Sequence, residues 1–368
     1  MRRGRRGQDA RRQVGRRTGH FFWWGIREAS DRFRSHRRLM PLGRPRPSVV
    51  FWGIASRGAH FAASDKELVF MEPKHVGEEL GVITRTGSEA RLPLADRISA
   101  VDFSFKGPFE AAAAAVHRLG LRRIDVSVRR RFPLTTPERL LTDFQPTLEA
   151  RLAALGALGL SAADVFYISG EFETSNEPAP EAERSVFEAV CAFARGVHAP
   201  GITVLPGQRD AAPGRSDAWE RSVDELGWRV ARAKSDGLRL SVEPHVGSII
   251  DTPAGVRALL RDVPGLSVTL DYSHFVYSGV PAADVHPLLA YSRILHVRQA
   301  AAGRIQASLG AGSIDFADVF RAARRYGFTG TISLEYVEGP YLPGERVDIV
   351  RESELLRDVV VRELGSGS

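Results

Sequence analysis

From about residue 98 onward, short runs of β-branched and aliphatic residues alternate with longer stretches of helical period, and the alternation continues to the end of the chain. Ile98 to Phe105 reads as a first strand, followed by an alanine-rich helix and a second strand, Ile124 to Val128. Leu148, Leu152, Leu155 and Leu158 recur at steps of four, three and three, which puts one apolar stripe along a helix. Val165 to Ile168 is the third predicted strand. The order then repeats through a helix at Ser185 to Arg195, a strand at Ile202 to Leu205, and a helix carrying Trp219, Val223, Leu226 and Val230. Later strands fall at Leu238 to Val242, Leu266 to Leu270, Ile294 to Val297 and Thr331 to Leu334, and a helix from about Glu352 to Leu364 completes eight β/α units.

Five times a glycine followed by an apolar residue separates helix from strand, at Gly120, Gly159, Gly237, Gly265 and Gly327. A helix C-terminus calls for a residue that accepts left-handed backbone, and glycine does so without strain. Eight such units in about 270 residues match a closed (β/α)8 TIM barrel. The competing α/β fold is an open doubly wound sheet, whose nucleotide-binding form requires a G-x-G-x-x-G after the first strand, and none is present.

Charge changes the picture mainly at the N-terminus. The chain has a net charge of +7, but residues 1–50 hold 15 arginines against three acids, Asp9, Glu28 and Asp31, leaving 36 basic and 41 acidic residues in the rest. The barrel region is therefore mildly acidic, and no nucleic-acid partner is expected for it. Residues 1–45 form an Arg- and Gly-rich stretch too polar to offset its ordering entropy and are expected to be disordered. A polyanion-binding arm, an organelle-targeting presequence, a secretion signal, or translation that begins at Met40 are the readings open for that segment. Residues 46–97 are expected to cover the N-terminal side of the barrel or to link to it, and 98–366 to form the barrel. The lone Cys191 excludes an internal disulfide, which suits a reducing compartment and a cytoplasmic location. With no run of 18 apolar residues, no membrane span is expected.

Four polar residues stand at the ends of four consecutive predicted strands: Glu243 after LRLSV, Asp271 after LSVTL, His296 in SRILH and Glu335 after TISL. Their separations of 28, 25 and 39 residues are about one β/α unit each, so all four should reach the C-terminal rim, where barrel active sites lie. Singly, a strand-end acid is often a helix cap or ion-pair partner, and a lone histidine is often structural. Together, three crowded carboxylates call for a cation. Oxygen and imidazole donors suit Mn²⁺, Mg²⁺ or Co²⁺, with Zn²⁺ also open. His274, three residues past Asp271, is placed above this group as a substrate contact. His245 and Arg298 follow Glu243 and His296 by two residues and so share their faces, unless both simply solvate the rim. His117, His198 and His286 fall on helices or helix ends and are expected to be structural.

The segments SVEPH, LDYSH, LHVRQ and LGAGSIDFADVFRAARRYGFTGTISLEY, in that order, resemble the xylose isomerase-like TIM barrel superfamily, the group that includes sugar phosphate isomerases/epimerases and AP endonuclease family 2. The resemblance spans roughly residues 98–365 and is densest from Leu240 to Val337. It implies a metal site of Glu243, Asp271, His296 and Glu335, with His274 touching substrate and with Glu243 and Glu335 as the catalytic pair. It also implies a substrate-binding arginine after the strand-seven histidine, for which Arg298 and Arg304 are both candidates. Two features depart from the pattern. The DNA-repair branch takes extra histidines from strands two and three, whereas IDVSV and VFYISG have none, and Asp125 stands where relatives often have Glu.

The expected activity is a divalent-metal-dependent isomerase or epimerase of a small sugar or keto-polyol, working by Glu-mediated proton transfer through a metal-stabilised enediolate. The alternatives are a lyase or dehydratase on a keto-sugar or inositol derivative at the same site, and a non-catalytic sugar- or partner-binding barrel. By analogy, association into a homo-oligomer is open.

Overall fold

The computed structural model describes residues 96–130, 135–169, 181–209, 217–340 and 342–365. The predicted basic extension, Met40 and all but the last two residues of the 46–97 segment lie outside the described residues.

Eight strands close in sequence order into a parallel barrel: β1 (Ile98–Val101), β2 (Arg123–Arg129), β3 (Ser161–Ile168), β4 (Gly201–Val204), β5 (Arg239–Val242), β6 (Ser267–Asp271), β7 (Ser292–Val297) and β8 (Thr331–Leu334), with β1 pairing back onto β8. Helices fill the connections: α1 (Phe109–Arg118), α2 (Pro137–Thr142), α3 (Phe144–Ala157), α4 (Glu181–Gly196), α5 (Asp217–Ser235), α6 (Pro253–Asp262), α7 (Tyr272–Tyr277), α8 (Ala282–Val285), α9 (Phe316–Arg325) and α10 (Ile349–Gly365). Local signals fix several starts. Thr136 and Thr252 cap α2 and α6 by accepting from the N–H of Arg139 and Gly255, each with proline in the first turn, and Asp315 caps α9 through the N–H groups of Ala317 and Asp318. No helix among the described residues is long and apolar enough to cross a membrane.

The alternation of the strands sorts their side chains into two environments. Ile124, Val126, Val165, Tyr167, Ile202, Leu240, Leu270, Leu295 and Ile332 join Val116, Phe187, Leu226, Leu259, Phe320 and Leu356 of the helices in one continuous core. Residues of the other parity bond to one another within the barrel. The Ser99 hydroxyl donates to Asp125 Oδ1 at 2.9 Å, the Thr203 and Thr269 hydroxyls meet at 2.7 Å, and Arg293 donates to Asp164 Oδ1 and Ser241 Oγ, both at 2.8 Å. Barrel interiors are usually filled by branched aliphatic side chains. Here most of the polar filling is compensated: Arg293 pairs with Asp164, and the hydroxyls of Ser99, Thr203, Ser241 and Thr269 are hydrogen-bonded. Gly201 makes the room, since a Cβ there would stand 2.9 Å from the Arg293 guanidinium carbon.

Two strand boundaries differ by more than two residues from the sequence expectation. The first strand ends at Val101, and Asp102–Ser104 turn into a 3-10 segment as Asp102 Oδ2 accepts from the Ser127 N–H at 2.8 Å, giving that amide a side-chain partner. The third strand begins four residues earlier than predicted, at Ser161. The stretch Ala162–Asp164 has weak strand propensity, but pairing with Arg123–Asp125 holds it extended.

Candidate metal centre and active site

All four strand-end residues are buried on the C-terminal side of neighbouring strands. Glu243 and Glu335 each follow their strand by one residue and stay in the ladder, their N–H groups donating to Val204 O at 2.9 Å and Val297 O at 3.0 Å. Asp271 closes β6 directly opposite His296 of β7 and also caps α7, accepting from the Ser273 N–H.

Three of the four converge. His296 Nδ1 stands 2.9 Å from Glu243 Oε1 and 3.0 Å from Glu335 Oε2, and one donor atom from each residue lies within 4.8 Å of the others. Asp271 is outside that group. Its Oδ2 accepts from Arg298 Nη2 at 2.8 Å and from the Ser273 hydroxyl at 2.7 Å, while its Oδ1 accepts from the Ser273 N–H at 2.8 Å. Arg298 also reaches toward Glu335, with Nη1 3.7 Å from Oε1, so its guanidinium bridges the two acids.

A second group of potential donors, Glu243, His245 and His274, lies beside the first. The two imidazoles face each other with centroids 4.0 Å apart. His274 Nδ1 accepts from the Val246 N–H at 3.3 Å, and Nε2 lies 3.2 Å from Arg298 Nη2. The structure therefore brings His245, His274 and Arg298 to the cluster. Arg304 sits apart, on the exposed turn after β7, where it donates to Ala311 O at 2.7 Å.

The charges of this cluster are interdependent. Burial, reinforced by Glu335, holds the Glu243 carboxyl above the usual carboxylate range, and burial raises Asp271 against the opposing pull of Arg298. For Glu335 burial is also the largest influence, but Arg298 and His296 together overcome it and keep the group ionised. Burial disfavours a charged His296, yet Glu335, Asp125 and Glu243 outweigh it and push the imidazole well above its ordinary value. His274 and His245 are pushed down by burial, helped by the nearby positive charge of Arg298.

This donor set fits a divalent cation. Two carboxylates and an imidazole lie within reach of one point, and the buried Glu335 Oε2 has no hydrogen-bond partner among the described residues. Cys191, the one thiol, is buried in α4.

Sequence reasoning passed over two residues that shape the site. Phe166 packs its ring 5.6 Å from the His296 ring, and Ser273 holds both oxygens of Asp271. The only cue for Phe166 was its parity with Asp164 on a buried strand, and for Ser273 its place two residues after a strand-end acid.

A family model described as "Xylose isomerase-like TIM barrel" matches residues 113–359. No curated protein is significantly similar in sequence. Among solved structures, a D-psicose 3-epimerase crystallised in the presence of D-fructose superposes with a TM-score of 0.59 at 14% identity, covering 73% of this chain and 99% of that one. The probable 3-DHS dehydratase AsbF of Bacillus anthracis, involved in petrobactin synthesis, gives 0.56 at 18% identity over 71% and 98% of the two chains. A xylose isomerase-like TIM barrel protein from Mycobacterium smegmatis in complex with magnesium gives 0.56 at 16% identity over 70% and 88%. At such identities these likenesses establish the fold. The family match covers more than half of the sequence, and the chain belongs to the xylose isomerase-like TIM barrel family.

Proposed function

We propose that the chain is a divalent-metal-dependent isomerase or epimerase of a small sugar or keto-polyol. The observation that carries this reading is the convergence of Glu243 and Glu335, from β5 and β8, on His296 Nδ1 in a buried site at the barrel's C-terminal rim. A divalent cation held by Glu243, His296 and Glu335, which Asp271 would join as a fourth donor by exchanging Arg298 for the cation, would polarise a bound carbonyl and acidify the neighbouring C–H. Glu243 and Glu335 reach the centre from different strands, so one can take the carbon-bound proton while the other delivers a proton to a different face or position. His245 and His274, side by side next to Glu243, would hold substrate hydroxyls. Arg298 bridges Asp271 and Glu335 and would set its positive charge on the substrate's side of them.

A lyase reading has a specific observation in its favour: His245 and His274 lie beside Glu243 and would supply further proton-handling groups for a leaving hydroxyl. The related folds include both a sugar epimerase and a probable dehydratase, so both reactions are accessible to this architecture.

One experiment separates these readings. Metal-stripped protein, with and without Mn²⁺, Mg²⁺ or Co²⁺, is incubated in D₂O with ketohexoses, beginning with D-psicose and D-fructose, and followed by NMR. Deuterium entering next to the carbonyl together with a new epimer, only when a cation is restored, is the expected result. Loss of water or of a substituent would assign the lyase. No exchange with any keto-sugar under any cation would refute both and leave a binding protein.

A further inference from the structure

Asp125 lies within β2, and its carboxylate is buried inside the barrel. Oδ1 accepts from the Ser99 hydroxyl at 2.9 Å. Oδ2 has no hydrogen-bond partner among the described residues and stands 3.6 Å from Nε2 of His296. The other ring nitrogen, Nδ1, is the one between Glu243 and Glu335. Phe166 packs against the same ring at 5.6 Å with an interplanar angle of 53°.

We propose that Asp125 is a positioning residue that keeps a proton on His296 Nε2, so that the Nδ1 lone pair is presented to the divalent cation between Glu243 and Glu335. The inference rests on the cation reading above.

An imidazole that ligates a metal through one nitrogen carries its proton on the other, and the partner of that proton decides which nitrogen is free. A carboxylate is acceptor-only, so Asp125 can stabilise Nε2–H and nothing else on that side. A buried carboxylate oxygen without a donor is costly, which gives Oδ2 a reason to draw the Nε2 proton toward it. The separation of 3.6 Å is slightly beyond a hydrogen bond, and contacts of this kind commonly tighten when the bound state forms. Serving only as the acceptor for Ser99 would engage one oxygen and leave the other buried and unused.

Asp125→Asn tests this directly. The variant can still accept from Ser99, but its amide N–H would face Nε2 and favour the opposite tautomer, with the proton on Nδ1. Calorimetric titration of metal-stripped full-length protein with Mn²⁺ should show affinity lowered by about 10–100-fold. Ser99→Ala, which leaves the Asp125–His296 pair in place, should bind Mn²⁺ like the unaltered chain. Should Asp125→Asn fail to fold, ¹⁵N-histidine NMR of the unaltered protein loaded with Mg²⁺ decides: the Nε2 proton of His296 is expected to be shifted downfield and slow to exchange, as one held by a carboxylate is. Undiminished Mn²⁺ affinity in folded Asp125→Asn, or an Nε2 proton that exchanges freely in the Mg²⁺-loaded protein, would overturn the assignment while leaving the cation site standing, whereas a proton on Nδ1 would overturn it together with ligation through that nitrogen. An unaltered chain that takes up no Mn²⁺ at all would instead sink the functional reading, and this inference with it.

Discussion

Glu335→Gln should yield a folded protein whose cation-dependent exchange of substrate protons with solvent is slower by about 10³-fold or more. Gln has the same shape but neither the charge nor the basicity of the carboxylate. Glu335 brings one oxygen toward Nδ1 of His296 and the other toward Arg298, so its charge is used twice, once to hold a cation and once to move a proton. Calorimetry with Mn²⁺ on the same variant separates these uses. A large loss of exchange with cation affinity nearly intact would make proton transfer the dominant role, and parallel losses would make it ligation. Full exchange activity in Glu335→Gln would refute the assignment of this residue altogether.

Arg298→Met is expected to destabilise the cation-free protein by roughly 3–5 kcal/mol, because it removes one partner of a buried ion pair and leaves the acids uncompensated. The Arg298 and Asp271 side chains are 3% and 1% exposed, so water offers little relief. For a barrel of this size the loss corresponds to a fall of roughly 10 °C in Tm. The effect should depend on pH, and its sign follows from linkage. Burial already raises the Asp271 carboxyl, and removing Arg298 raises it further. An acid whose folded-state affinity for protons exceeds that of the unfolded chain favours folding at low pH and loses that contribution as pH rises. The deficit of Arg298→Met should therefore be smaller at pH 5 than at pH 8. Added Mn²⁺ should recover part of it by supplying the missing positive charge. Thermal melts at both pH values, in EDTA and in Mn²⁺, check the prediction, and a variant melting like the unaltered chain at pH 8 in EDTA would contradict it.

The barrel was legible because its signals are local and repeated. Each strand is a short apolar run, and most helix exits carry a glycine. Gly120 and Gly327, for instance, adopt φ of +73° and +68°. The unit between α4 and β4 broke the pattern because His198, with φ of +58°, takes the left-handed position that glycine fills elsewhere. The start of β3 was obscured for a different reason. Its alanines and Asp164 say little about strand structure alone, and only pairing with β2 makes them extended.

Spacing along the chain was enough to bring Glu243, His296 and Glu335 to one end of the barrel, since β/α units of similar length deliver strand tips to the same rim. It was not enough to predict side-chain partners. Whether Asp271 faces a shared centre or an arginine depends on where a long side chain two residues past His296 extends, and Arg298 turns onto Asp271. Strand alternation put Arg298 on the face of His296 but left Arg304 open as well, and the turn at Ala301–Arg304 carries Arg304 away. The polar filling of the barrel was visible as Ser99, Asp125, Thr203, Ser241 and Thr269 on otherwise apolar strands, but its pairing across the axis is a property of closure that no single strand reveals.

Anomalous diffraction from crystals grown with Mn²⁺ examines the shared-cation site most directly. The expected result is one peak per chain at about 2.0–2.3 Å from an oxygen of Glu243, an oxygen of Glu335 and Nδ1 of His296. A peak bound elsewhere, or crystals in which those three donors hold no manganese at saturating concentration, would contradict it.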